Sequence, residues 1–253
     1  MGCCCSNAES QGQKRVEHTA ASDGASRASR RSRKSQKSNR GYSSASLRPL
    51  QRHREGSRHA QLHSRAQESL RSMEYRQAVK VPQGASQSVW IATHVVDFFN
   101  SVSILFGAVL DSCTDTSCPV MRAGKRFEYV LPPHSVQGHG TGSEDGRVSA
   151  RSYITYWMLR IEEQMKRGDF DDKDASDKIV LSAFARFFRI FAHLFHHHFN
   201  IFVELEAQEH LEKSFKHFYF FCSEFKLLNE REQRPLRDLI ERLEQENPRK
   251  RAS

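Results

Sequence analysis

The chain has 253 residues and a formal net charge of +9 at pH 7, a size that excludes a peptide-scale scaffold and suits one large or two small domains. The charge is unevenly spread: residues 1–80 hold 17 Lys and Arg against 6 Asp and Glu, whereas residues 81–253 hold 22 against 24. A basic arm ahead of a nearly neutral domain is expected, and a basic surface running the length of the chain is excluded.

The arm opens Met1, Gly2, Cys3, Cys4, Cys5, Ser6, which meets the M-G-x-x-x-[ST] requirement for N-myristoylation at Gly2. One myristoyl chain binds membranes with K on the order of 10⁴ M⁻¹, so stable attachment needs a second signal. Cys3, Cys4 and Cys5 are placed for S-palmitoylation, and the run from Arg27 to Arg40 adds cations worth about 1 kcal/mol each beside anionic lipid. The expectation is a cytoplasmic protein held peripherally at a membrane; nucleic-acid binding through the arm is the lesser alternative. Residues 1–77 are rich in Ser, Arg, Gln and Ala and poor in bulky apolar residues, so they are expected to stay disordered. Residues 78–253 hold enough apolar residues for a core and are predicted to fold as one domain. The adjacent terminal cysteines and the scattered Cys113, Cys118 and Cys222 do not form a disulfide framework and suit a reducing compartment.

Within the domain, Val89 to Phe106 repeats apolar residues at helical intervals and predicts a long buried helix ending near Asp111. His94, Asp97 and Asn100 within it argue against a membrane span. Arg126 to Leu131 alternates as a strand, one arm of a small hairpin, and His134 to Ser149 reads as a surface loop. Further helices are predicted from about Ser152 to Arg167, Ser176 to Val203, Ala207 to Leu227 and Glu230 to Glu246. The predicted class is all-α, a helical bundle with one hairpin.

Cys113 and Cys118 lie on the loop after the first helix, and His193, His196, His197 and His198 lie far downstream. Two thiolates and two imidazoles make the tetrahedral set that zinc prefers, and a closed four-ligand site is structural. On an ideal α-helix His193 and His197 share a face, whereas His198 sits about 140° from His193, so spacing alone slightly favours His197 as the second imidazole.

The blocks VWIATHVVDFFN (89–100), CTDTSCPVMRAG (113–124), FEY (127–129), RIFAHLFHHHF (189–199) and SFKHFYFF (214–221) resemble, in the same order, those of the Mob (Mps-one-binder)/phocein family of kinase adaptors, the kinase-activating branch in particular. The resemblance implies a metal set of Cys113, Cys118, His193 and His198, hence a helix distorted near the histidines. It also implies a non-enzymatic adaptor in Hippo/NDR signalling that binds the N-terminal regulatory segment of an NDR/LATS-type AGC kinase, with Trp90, Thr93, Asp97 and His217 at contact positions. Arg186 and Arg189 match two cations of the family's pocket for phosphorylated Ste20-type kinases, but Ala185 stands where the family has a lysine. Ser69 falls where the family has a regulatory phosphoacceptor. Nothing in the resemblance covers the acylated arm. Two alternatives differ in class: a phocein-like scaffold subunit of a striatin-type complex, and a zinc hydrolase, which would need an open metal position and a general base.

Overall fold

The computed structural model describes residues 75–132, 145–170 and 176–246, together with Gln61. The acylation signal at Gly2, Cys3, Cys4 and Cys5, the site at Ser69 and most of the loop predicted from His134 lie outside the described residues.

Among the elements with a described range, the first is α1 (Tyr75–Ala78), whose Tyr75 and Ala78 are buried. The long helix α2 (Gln87–Ala108) buries Trp90, Phe98, Phe99 and Phe106 together with Val95 and Val102. A helix apolar around most of its circumference belongs in a core. It stops before the predicted Asp111, at Ala108, just after the poor helix former Gly107. By length and composition alone, α2 and the span Asp177–Glu204 could cross a bilayer, but 78% and 56% of their apolar windows are buried inside the domain. Their apolarity serves packing.

The hairpin is smaller than the predicted strand. Only β1 (Arg122–Ala123) and β2 (Phe127–Glu128) pair, antiparallel, with Arg122 opposite Glu128. After it comes α3 (Ala150–Arg167), capped at its start by the Ser149 side chain, which accepts from the Ser152 N–H. It ends on Gly168 at φ +76°, where the Gly168 and Asp169 amides return to Met165 and Gln164, a left-handed closure that glycine adopts without penalty.

The predicted helix Ser176 to Val203 is interrupted. α4 (Ser176–His193) passes into a π-turn over Leu194–His198 before α5 (Phe199–Glu204) resumes. α6 (Gln208–Glu224) follows. The last predicted helix is also split: α7 (Glu230–Gln233), a 3₁₀ turn over Arg234–Leu236 and α8 (Arg237–Glu246). Pro235 lacks the amide that a continuous α-helix needs there.

The core joins α2, α4 and α6 through aromatic rings. Phe98 lies edge-on to Phe184, Phe218 and Phe221 at centroid distances of 5.8, 5.1 and 5.4 Å. Each fully buried Phe contributes roughly 1.5–3 kcal/mol of transfer free energy.

Candidate functional site

The loop after α2 is built to present two thiols. The Cys113 amide bonds to Val109 O at 2.8 Å and the Cys118 amide to Thr114 O at 2.9 Å. Between them, Thr114 and Ser117 exchange amide-to-hydroxyl bonds of 2.9 and 3.1 Å. The start of α3 secures the loop from outside: the Ala150 amide donates to Cys118 O at 3.0 Å, and Arg151 donates to the carbonyls of Cys113 and Leu110. Both thiols are buried.

Opposite them stand His193 and His198. The π-turn closes i→i+5, which carries a residue five positions on back beneath the first. Cys113 Sγ is 3.5 Å from His193 Nε2, Cys118 Sγ is 3.5 Å from His198 Nε2, and all four ligand atoms lie within 4.8 Å of one another. Tetrahedral coordination with Zn–S near 2.3 Å and Zn–N near 2.0–2.1 Å requires sulfur and nitrogen to stand about 3.6 Å apart. The donor set therefore fits one metal ion.

Electrostatics say the same. Burial lowers the pKa of His193 to about 3 and of His198 to about 4, so both rings are neutral and their lone pairs available. Burial, and then the neighbouring Cys118, push the Cys113 thiol up; a bound cation reverses that order by stabilising thiolate. His193 Nδ1 lies 2.7 Å from the carbonyl of Arg122. A carbonyl only accepts, so the Nδ1 proton is fixed and Nε2 is left to the metal.

The other histidines have different work. His197 Nε2 accepts from the Gly124 amide at 3.2 Å, and His196 Nε2 donates to Pro235 O at 2.7 Å. Gly124, at φ +66°, brings the hairpin so close that a Cβ there would stand 3.2 Å from His196 Nδ1. Spacing pointed to His197 as the ligand; it instead joins the π-turn to the hairpin. The supporting partners Arg122 O, Gly124 and Arg151 carry no signature in the sequence.

The residues expected at a kinase contact lie largely inside. Trp90 is 1% exposed and donates its indole N–H to Val79 O at 2.9 Å, and the fully buried Thr93 donates to Val89 O. The core and the helix backbone already engage both side chains. Asp97 is 4% exposed. The His217 ring lies 5.6 Å from that of His94, and burial, reinforced by His94 and opposed by Asp97, lowers its pKa to about 3.

The predicted phosphate-reading pair is also committed elsewhere. Arg189 donates to both oxygens of Glu232 at 2.6 and 3.1 Å and to the Tyr153 hydroxyl at 3.1 Å. Burial works to lower its pKa, but the Glu232 and Tyr153 hydrogen bonds outweigh it and hold the group above its ordinary range. Asn229 places Glu232 there by capping α7, accepting from the Glu232 amide. Arg186 lies over the Trp157 ring at 4.1 Å, its Nε enclosed without a hydrogen bond and its pKa lowered by burial.

Comparison with known proteins follows this architecture. A profile of the Mob1/phocein family matches residues 67–236. The chain is 34% identical over 206 residues to MOB kinase activator 3C of Bos taurus, covering 78% of this chain and 93% of that protein. It is 35% identical over 210 residues to MOB kinase activator-like 1 homolog A of Dictyostelium discoideum, covering 80% and 96%, and 32% identical to MOB kinase activator 3A of Mus musculus over 78% and 93%. With its helical architecture, hairpin and Cys₂His₂ cluster, the chain belongs to the Mob1/phocein family.

Proposed function

We propose that this chain is a non-catalytic adaptor that binds the N-terminal regulatory segment of an NDR/LATS-type AGC kinase and promotes its activation. The observation that carries this reading is the likeness, over 78–80% of the chain, to proteins named kinase activators. Zinc is the metal proposed for Cys113, Cys118, His193 and His198. With four protein ligands it has no open position for substrate or water, and its work is to tie the loop after α2 to the end of α4. That supports a structural ion over a hydrolytic one.

Adaptor contact needs apolar surface, and Ile104, Val203 and Leu205 leave theirs in solvent at 53%, 48% and 55% exposure. Of these, Leu205, the most exposed, is the anchor we propose for an amphipathic segment. Trp90 fixes the start of α2 from within through its bond to Val79 O. Titrating the metal-loaded full chain with the kinase segment is expected to give saturable binding, weakened at least about tenfold, or 1.4 kcal/mol, by Leu205→Glu. Absence of binding by a folded, metal-containing chain would favour a phocein-like scaffold instead.

The arm supplies the place. With Gly2 acylated and Cys3, Cys4 and Cys5 available for a second chain, the adaptor would recruit its kinase to a membrane. Gly2→Ala is expected to move the protein from the membrane fraction to the soluble fraction on cell fractionation. An unchanged distribution would remove acylation from the account.

A further inference from the structure

A cleft of about 610 Å³ is lined by residues of the π-turn, α6, the 3₁₀ turn and α8. Its floor is aromatic: Phe195 and Phe199 stack at 6.0 Å, and Phe215 stands edge-on to Phe195 at 5.3 Å. Phe215 is buried, but Phe195 and Phe199 are only half-buried, so apolar ring surface is left to the cleft. Leu239 and Leu243 of α8 make an apolar wall. His196 Nε2 donates to Pro235 O at 2.7 Å and so holds the π-turn to the 3₁₀ turn. The turn that carries His198 to the metal set therefore also supplies this floor.

The rim is charged. Lys213 is paired with Glu209 at 2.9 Å, and Arg237 with Glu241 at 2.8 Å. Among the described residues, Arg234 and Arg242 have no ion pair. Arg242 donates from Nε to the carbonyl of Asp238, one turn back in its own helix, at 3.4 Å. Glu212 lies on the α6 side, whereas the 3₁₀ turn and α8 carry Arg234, Arg237 and Arg242 against Asp238 alone. That wall sets an excess of positive charge beside apolar surface.

We propose that this cleft binds an acidic amphiphile, an aliphatic chain ended by a carboxylate, with the chain on Phe195, Phe199 and Leu239 and the head at Arg234 and Arg242. Its volume falls within the roughly 300–1,000 Å³ of small-molecule sites, which pair an apolar lining with a few polar groups that fix orientation. An aliphatic chain takes the half-buried rings out of water, and a guanidinium fork matches a carboxylate in shape and charge. Charge and apolar surface together select the class. A hydrophilic anion would leave the rings in water, and an uncharged apolar ligand would leave both guanidiniums without an acid. The inference is independent of the kinase-adaptor reading, since Leu205 is not among the residues that line the cleft.

The test displaces a dansyl-labelled undecanoate, a fluorescent aliphatic carboxylate, from the metal-loaded full chain with decanoate, decanol or acetate. Decanoate is expected to displace it, decanol about tenfold less effectively and acetate not at all. The double substitution Arg234→Gln with Arg242→Gln should weaken decanoate about tenfold and decanol by less than about twofold. Leu239→Glu, which sets a carboxylate against the chain, should weaken both, and Arg126→Gln, outside the cleft, neither. Arg234 and Arg242 are exposed, so the double variant should keep the Tm of the ligand-free chain even where Leu239→Glu does not fold. Decanoate binding unchanged by the double substitution and by a folded Leu239→Glu would place the site elsewhere, the basic arm included, and overturn the proposal. Equal competition by decanol and decanoate, untouched by the double substitution, would make the cleft an apolar seat for a partner helix and overturn it too. Failure of a folded, metal-containing chain to bind the labelled carboxylate would overturn it outright.

Discussion

His198→Ala is expected to strip the chain of its metal and of most of its cooperative folding, whereas His197→Ala, one position away, is expected to keep both. The contrast follows from the π-turn, which brings His198 Nε2 to 3.5 Å from Cys118 Sγ and leaves His197 Nε2 bonded to the Gly124 amide at 3.2 Å. Structural zinc contributes roughly 10–16 kcal/mol in small zinc domains, comparable with or larger than the whole stability of a domain, about 5–15 kcal/mol. Even a loss of about 5 kcal/mol corresponds to a fall in Tm of roughly 10–20 °C for a domain of this size. His197→Ala removes one hydrogen bond, worth about 0.5–1.5 kcal/mol. Elemental analysis beside thermal unfolding separates the two: one ion per chain in wild type and His197→Ala, and none in His198→Ala. Equal metal content in the two variants would contradict the assignment.

Phe98→Ala is expected to cost about 3–5 kcal/mol, the range for removing a fully buried aromatic ring. Phe98 is 1% exposed, and its ring contacts those of Phe184, Phe218, Phe221 and His217. One truncation therefore opens a cavity shared by α2, α4 and α6. Ile104→Ala, on the same helix but 53% exposed, should change stability by about 0.5 kcal/mol or less. Urea unfolding of the metal-loaded chain distinguishes the two. A similar midpoint for both variants would mean that the three-helix aromatic core is not what holds the domain together.

Much of this architecture was legible in the sequence, because helical periodicity is a local property. The main helices appeared within a few residues of their predicted bounds, and the Cys113/Cys118 spacing marked the loop that presents two of the four candidate metal ligands. The interruption at Leu194–His198 was not visible to an ideal-helix argument, which places His198 on the wrong face; only the family resemblance pointed to it. Trp90 illustrates a second limit. Periodicity identifies an apolar stripe, but whether that stripe meets a partner or the chain's own core depends on Val79 and its carbonyl folding back over the indole.

Long-range pairing was the least legible. Arg189 and Glu232 are separated by 43 positions, and nothing at either position announces that one neutralises the other. Arg231 and Arg234 lie in a stretch of alternating charge, EREQR, that reads as an ordinary solvated helix face. They come to line one cavity with hairpin residues only when α7 and the 3₁₀ turn are set against the hairpin.

The adaptor reading is tested most directly by the activity of an NDR-type kinase with and without the metal-loaded full chain. The account predicts stimulation that saturates with the chain and is lost when Leu205→Glu weakens binding to the regulatory segment. Kinase activity unchanged by a folded, metal-containing chain that binds the segment would contradict it.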